Sequence, residues 1–443
     1  MYRDLTKGNI TKTLLLFSLP MIAGNLLQQF YNIADTLIVG QFLGRDALAA
    51  VGSAYTLMTF LTSILLGMSM GAGALFAIYQ GQGNTERLKA SMVQAFGLIL
   101  ALTAALYGIV YGFIDPIMGF LRVPDEVYGL MREYLWIVFA GLAATFLYNF
   151  FSCLLRALGN SVTPLVFLAV SALLNIVLDL VFVLQCSWGV AGAAAATVIA
   201  QYVSGIGILL YCLIRCKELR PERRHVRWDG KILREIGNLS LLTCVQQSVM
   251  NFGILMVQGL VNSFGPVIMA AFAAAVKIDS FAYMPVQDFG NAFSTFVSQN
   301  YGAGKKERIR EGIRKAALAS ILFCVMISAL VLLFARLLML IFIQPHEVEV
   351  LAAGVRYLRI EGTFYWGIGC LFLFYGLYRA IKRPAMSVVL TVISLGTRVL
   401  LAYALAGPVG VDGIWAAIPI GWILADAVGL WYYRKHRESL LEA

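Results

Sequence analysis

Twelve stretches of this chain are apolar over lengths that no water-soluble loop or strand needs, near residues 14–42, 51–80, 91–114, 134–155, 162–184, 190–214, 235–262, 267–299, 312–343, 357–378, 385–406 and 412–433. A bilayer-spanning helix takes about 20 mostly apolar residues. Each stretch is therefore a candidate span, and 443 residues leave little for any large domain outside the membrane. A barrel is excluded because its strands alternate in polarity over about ten residues, whereas the run from Leu98 to Tyr111 is apolar on all sides. With 60% hydrophobic and 13% charged residues, against about 25% charged in a soluble domain, a soluble enzyme is excluded too. The seven cysteines are scattered, form no CxxC pair and have no histidine nearby. They read as small buried hydrophobes.

The 34 lysines and arginines against 24 acids, a formal +10, are read first as loop bias rather than as a nucleic-acid surface. With the amino terminus placed in the cytoplasm, 26 of the 34 fall in inside segments, including Arg215, Lys217, Arg220, Arg223, Arg224, Arg227, Lys231 and Arg234. The outside segments hold only Arg45, Arg122, Arg132, Arg336, Arg356 and Arg359. This asymmetry predicts a multi-pass protein of the cytoplasmic (inner) membrane with twelve spans and both termini inside.

The basic, proline-containing stretch at the midpoint divides the chain into an amino-terminal lobe, 1–217, a cytoplasmic linker, 218–233, and a carboxyl-terminal lobe, 234–443. The two halves repeat one another. Gly81-Gln82-Gly83-Asn84-Thr85-Glu86-Arg87-Leu88 matches Gly302-Ala303-Gly304-Lys305-Lys306-Glu307-Arg308-Ile309, Leu154-Leu155-Arg156-Ala157 matches Leu377-Tyr378-Arg379-Ala380, and Gly189-Val190-Ala191-Gly192 matches Gly410-Val411-Asp412-Gly413. The three matches come in the same order in both halves and at a nearly constant offset. Because each half has an even number of spans, both run in the same direction. The expected fold is all-α: two six-helix bundles related by a parallel pseudo-twofold along the membrane normal.

The chain closely resembles the multidrug and toxic compound extrusion (MATE) family through Gln28-Gln29-Phe30-Tyr31-Asn32-Ile33-Ala34-Asp35 with Val39-Gly40, through Arg156-Ala157-Leu158-Gly159-Asn160 before Pro164, and through Gln299-Asn300-Tyr301-Gly302-Ala303-Gly304. The resemblance covers essentially the whole chain. It implies two six-helix bundles forming a V and efflux of bulky, often cationic, compounds in exchange for inward H⁺ or Na⁺.

Ionisable groups inside spans are expensive and so are candidates for function. Asn25, Gln28, Asn32 and Asp35 lie on one helical face of span one, Asn175 and Asp179 are one turn apart in span five, and span six carries Thr197 with Gln201 one turn on. Amides alone also glue helices together by hydrogen bonds, but glue needs no ionisable group. A carboxylate pair backed by amide and hydroxyl oxygens is the chemistry that a proton or Na⁺ requires. In the DinF-type branch of the resembling family, a first-helix aspartate, a fifth-helix Asn-x-x-x-Asp and a sixth-helix threonine form the cation site, and Asp35, Asn175, Asp179 and Thr197 match these in order. The expected substrate cavity is lined by Asn25, Gln28, Asn32, Gln201 and, on span seven, by Gln247, Asn251 and Gln258, with Asn262 on the same face.

The NorM-type branch places acids in its seventh and tenth helices. Here only Glu361 in span ten is available, which argues against a NorM-like site. The mixed signs of Lys277, Asp279, Asp288, Arg398 and Asp426 are read as internal ion pairs. Prolines 20, 285 and 419 fall inside spans, where each removes a backbone bond.

An intramembrane hydrolase is the weakest rival. Gly67-Met68-Ser69-Met70-Gly71 spells G-x-S-x-G, but that motif works on a strand-to-helix turn with a histidine base, and His225, His346 and His436 are in loops or the tail. The glycines fit a small-xxx-small helix contact instead. No nucleotide or zinc motif appears. The expectation is a non-enzymatic secondary transporter, a monomer with no nucleic-acid partner and no cofactor beyond its coupling ion, handling small organic substrates within the bilayer. The alternative is a lipid-linked oligosaccharide or lipid flippase of the same superfamily, for which Arg398 and Arg379 are the available cavity arginines.

Overall fold

The computed structural model describes residues 3–120, 123, 125–226 and 228–440. Arg122 and Arg227 of the charge tally and the outermost residues of both lobes lie outside them. Among the described residues, fifteen α-helices follow in order: α1 (Ile10–Phe42), α2 (Arg45–Gly81), α3 (Thr85–Gly112), α4 (Ile114–Phe120), α5 (Asp125–Val138), α6 (Leu142–Ala157), α7 (Val162–Asp179), α8 (Gly189–Arg215), α9 (Gly230–Asn262), α10 (Pro266–Gly302), α11 (Lys306–Met339), α12 (Val348–Gly362), α13 (Tyr365–Ala380), α14 (Pro384–Ala406) and α15 (Val411–Leu440). There is no strand among the described residues. Eleven of the described helical segments are long and apolar enough to cross a bilayer, and α12 with α13, bent by 51° at a short break, make a twelfth.

The fourth span of each half is interrupted at a corresponding place, which the apolar runs did not reveal. A 3₁₀ turn at Phe139–Gly141 separates α5 from α6, and Thr363–Phe364 separates α12 from α13. The backbone carries the repeat as well. Left-handed glycines recur in step, Gly44 with Gly265, Gly83 with Gly304, and Gly189 with Gly410, each pair at the spacing of the sequence repeat. Gly159 and its counterpart Lys382 also share a positive φ. The glycine pairs are the turns that start α2 and α10, α3 and α11, and α8 and α15, where a Cβ would be strained.

The chain forms two compact units, Met1–Asp4 with Ala23–Cys244 and Leu5–Ile22 with Val245–Ala443. Each of α1 and α9 thus gives its first half to one unit and the rest to the other. In the first unit, Phe76, Phe96, Phe146 and Phe150 form an aromatic cluster, with Phe96 and Phe146 centroids 5.1 Å apart. Gly67 and Gly71 of α2 meet the first half of α9. A Cβ on Gly67 would stand 2.6 Å from Cys244 Cα, and one on Gly71 would collide with the backbone of Ser240 and Leu239. Ser69 between them donates to Leu65 O within the helix at 2.8 Å. The small-residue contact is therefore what this stretch makes. At the α3–α5 connection, the Arg132 guanidinium and then the Tyr128 hydroxyl hold the Asp115 carboxyl below the usual range by hydrogen bonding to its charged form.

In the second unit, α10 and α13 cross closely, since a Cβ on Gly376 would stand 2.6 Å from Gly290 O. Buried Arg379 is tied to α10 by donating to Ser294 Oγ (3.3 Å) and Asn291 Oδ1 (3.0 Å). Proline 285 lies inside α10, Pro20 inside α1 and Pro419 inside α15.

The repeated Gly-x-Gly motif has the same task in each unit. Its second copy pins the segment entering α1. Gln299 accepts from Leu5 N (3.2 Å), Lys305 Nζ donates to Thr6 O (2.7 Å), and Arg308 donates to the carbonyls of Leu5, Lys7 and Gly8. Its first copy pins the segment entering α9. Glu86 accepts from buried His225 Nε2 (3.0 Å) and from Arg224 (3.1 Å), and since His225 Nδ1 accepts from Glu222 N, the ring proton sits on Nε2. Gln94 then brackets the Asp229 backbone, donating to its carbonyl at 3.1 Å and accepting from its N–H at 3.0 Å. Hydrogen bonds to a charged group contribute about 1.5–3 kcal/mol. We therefore expect Arg308→Ala to quicken amide exchange over residues 5–8 about tenfold in hydrogen–deuterium exchange, leaving residues 222–229 unchanged. Equal exchange in both segments would show that the clamp carries no stability.

Candidate functional site

Three helices of the first unit bring four polar side chains to one place in an otherwise apolar interior. The second half of α1 supplies Asp35, α7 supplies Asn175 and Asp179 one turn apart, and α8 supplies Thr197. Asp179 is fully buried, Asn175 is 2% and Thr197 8% exposed, and Asp35 is half-buried. The two carboxyls lie near enough to act on one another. Asn175 donates its amide nitrogen to Asp179 Oδ2 (3.2 Å) and accepts from Thr197 N with its carbonyl (3.2 Å), while the Thr197 hydroxyl donates to Ala193 O at 3.1 Å. One oxygen of each carboxyl, Oδ1 of Asp35 and Oδ1 of Asp179, is buried without a partner.

The chemistry follows from that inventory. A carboxylate only accepts, so two carboxyls can hydrogen-bond each other only with a proton between them. Directly after Asp179 the helix widens into a π segment, Leu180–Gln185, a local irregularity that recurs at functional sites. Tyr31 of α1 and Tyr134 of α5 stand close to both carboxyls. Asn32 donates to Tyr55 Oη at 3.4 Å. None of these three tyrosines was legible as part of the site, because an aromatic in an apolar helix carries no local mark of what it faces.

The remaining polar candidates are placed as follows. Gln201 presses its amide oxygen against Gly141 in the 3₁₀ break, and that oxygen has no hydrogen-bond partner. Asn25 is half-buried and Gln28 exposed. In the second unit, Gln247 is buried, Asn251 is half-buried, and Gln258 donates to Asn262 Oδ1 at 2.8 Å. No group of three or more metal-ligating acids, histidines or cysteines occurs among the described residues.

The second unit has its own buried polar cluster, centred on Asp279 of α10 and Glu361 of α12. Tyr365 lies beside Asp279, Tyr357 beside Glu361, and Arg398 of α14 faces both acids. The described contacts give Arg398 no ion pair with either acid, and its Nε is buried without a partner, so the reading of internal ion pairs is not met at contact distance here, nor at Lys277. Lys277 is exposed, with its ammonium over the Phe342 ring at 5.9 Å, because each residue turns a helix by about 100°, so Ile278 and Asp279, one and two residues on, face inward while Lys277 faces out. Asp426 of α15 is half-buried beside Gly367, and neither carboxylate oxygen has a partner.

Comparison with known proteins bears on this architecture. The MatE family model matches twice, over residues 20–181 and 241–404, and the two starting points are set apart by the spacing of the internal repeat. The chain is 30% identical to the probable multidrug resistance protein YpnP of Bacillus subtilis, over 98% of this chain and 97% of that protein. It is 24% identical to an FAD transporter of Shewanella oneidensis, over 94% and 92%. Among solved structures, a MOP superfamily transporter from Pyrococcus furiosus superposes with a TM-score of 0.93 at 23% identity, covering 99% of this chain and 98% of that one.

Proposed function

The chain belongs to the MatE family of multi-pass membrane transporters, and from that premise we propose that it is a secondary active multidrug efflux transporter exchanging amphipathic, often cationic, organic compounds for inward-moving protons. The observation that carries the reading is half-buried Asp35 beside fully buried Asp179, which accepts from Asn175, two carboxyls that can share one proton without leaving a bare charge pair in the membrane. A proton needs only the two carboxyls, whereas Na⁺ also needs further oxygens in the right geometry, and the Asn175 carbonyl is already turned to the Thr197 N–H. This favours H⁺ over Na⁺ as the coupling ion.

The second half of α1, from Ala23 to Phe42, carries one acid and no base. One acid with no base beside it suits a cation better than an anion such as FAD. The flippase alternative gains nothing from the two arginines open to it, since Arg379 is buried on Asn291 and Ser294 and Arg398 faces Asp279 and Glu361. The proposed transporter works as a monomer in the cytoplasmic membrane, with both termini in the cytoplasm and no cofactor besides the coupling ion.

The test is ethidium accumulation in proteoliposomes. An imposed pH gradient is expected to raise accumulation at least about tenfold over gradient-free vesicles, while a Na⁺ gradient at equal pH leaves it at baseline. Equal accumulation without any gradient, or scrambling of a labelled lipid in its place, would refute the reading.

A further inference from the structure

The linker between α8 and α9 is held against the first unit at three points. Arg220 donates from Nε and Nη2 to Leu213 O at the end of α8 (2.9 and 2.7 Å). Buried His225 is bonded to Glu86, and Gln94 brackets the Asp229 backbone. Between the last two points, Val226 is exposed and Trp228 is 66% exposed. The Trp228 indole lies along α3, with its ring edge 3.5 Å from the position that a Cβ of Gly97 would take.

That contact fixes the depth of the ring. Lys89 is the last charged residue of α3, and the apolar run of this span begins near residue 91. At 1.5 Å of rise per residue, Gly97 is about 9 Å inside the run. Leu100, one turn on from Gly97, is exposed, and an exposed leucine on the outside of a span meets acyl chains. The indole therefore rests on the flank of a membrane helix where hydrocarbon gives way to headgroups, the level at which tryptophan is enriched.

The charges around the ring are one-sided. The acids close to it in the chain are engaged within the protein: Glu222 pairs with Arg224 (3.0 Å), Asp229 accepts from Lys231 N (2.8 Å), and Glu235 accepts from Tyr79 Oη (2.8 Å). Arg223, Lys231 and Arg234 are exposed and form no ion pair among the described residues. Lys231 and Arg234 stand three residues apart on one face of α9, directly after Trp228. Each lysine or arginine held near a negatively charged membrane surface adds to the attraction. An acidic soluble protein would answer these cations but has no access to an indole on the flank of a span. A zwitterionic lipid would cover the indole and leave the cations without a net counter-charge.

We propose that the linker is a membrane-surface arm that gathers anionic phospholipid. Val226 and Trp228 enter the bilayer interface beside α3, and Arg223, Lys231 and Arg234 draw anionic headgroups around them.

Fluorescence quenching of the full chain in nanodiscs tests both parts. The discs share one composition, a minority of phosphatidylglycerol in phosphatidylcholine. Bromine is carried on the acyl chains of the phosphatidylglycerol in one set and of an equal number of phosphatidylcholine molecules in the other. The Trp228 component is the difference between the unaltered protein and Trp228→Phe. It is expected to be quenched in both sets, and at least about twofold more by the brominated phosphatidylglycerol. Combined Arg223→Gln, Lys231→Gln and Arg234→Gln brings that ratio toward one, while combined Arg223→Lys and Arg234→Lys keeps it. A Trp228 component that neither lipid quenches places the ring in water and overturns the proposal. Equal quenching by both lipids in the unaltered protein overturns it too, as does a preference that survives the three glutamines. Gel filtration of each variant shows that the comparison is made on folded protein, and because no gradient is applied, the result is independent of whether the chain couples transport to protons.

Discussion

Asp35→Asn and Asp179→Asn are each expected to lower proton-driven dye accumulation about thirtyfold or more at matched expression, with Glu361→Gln staying within about twofold of the unaltered protein. The magnitude comes from the driving force. Moving one charge through 100 mV contributes about 2.3 kcal/mol, enough to bias two conformations roughly fiftyfold, and only a group that takes up and releases that charge can use it. An asparagine at either position keeps the size and one acceptor of the carboxyl but cannot take up or release a proton, so the remaining aspartate loses the carboxyl with which it would share one. Passive exchange of dye without a gradient should survive, because it needs the transport path and not the titration. Measuring accumulation and passive exchange on the same vesicles separates lost coupling from lost protein. Retained accumulation in both aspartate variants together with its loss in Glu361→Gln would move the coupling site to the second unit.

The amino-acid sequence disclosed the site's ionisable core for a simple reason. Asp35 and Asp179 stand in apolar runs where a carboxyl costs several kcal/mol, so each is conspicuous without any knowledge of its neighbours. The repeat was legible on similar grounds. Gly83 and Gly304, or Gly189 and Gly410, recur because the same left-handed turn is needed in both halves, and a left-handed turn leaves its mark on residue type. What stayed hidden depends on helix rotation and long-range packing. Tyr134 is one of many aromatics, and nothing local distinguishes the one beside Asp35 and Asp179. Lys277 and Asp279 are near neighbours in the chain, yet one faces out and the other in. The breaks at Phe139–Gly141 and Thr363–Phe364 lie inside continuous apolar runs, and hydropathy does not register a change of direction.

Gly71→Val is expected to damage the first unit severely, lowering the melting temperature by more than about 10 °C or preventing recovery of monodisperse protein. A Cβ at this position would collide with Ser240 Cα and with the carbonyl group of Leu239, both backbone. Overpacking a side-chain neighbour costs typically about 1–3 kcal/mol because the neighbour can change rotamer. Backbone of a second helix has no rotamer to change, so α9 must move away from α2, and the contact at Gly67 with Cys244 one turn earlier must open with it. In a membrane this loss is not recovered by hydrophobic collapse, since close packing is itself what holds helices together there. For the same reason, truncating the facing side chain in Ser240→Gly should not rescue Gly71→Val. Gly108→Val is the matched control. Gly108 lies in α3 with nothing within 4 Å of its would-be Cβ, and replacing it should leave the melting temperature within about 3 °C. A Gly71→Val protein that melts as the Gly108→Val protein does would mean that the α2–α9 crossing is looser than its backbone contacts require.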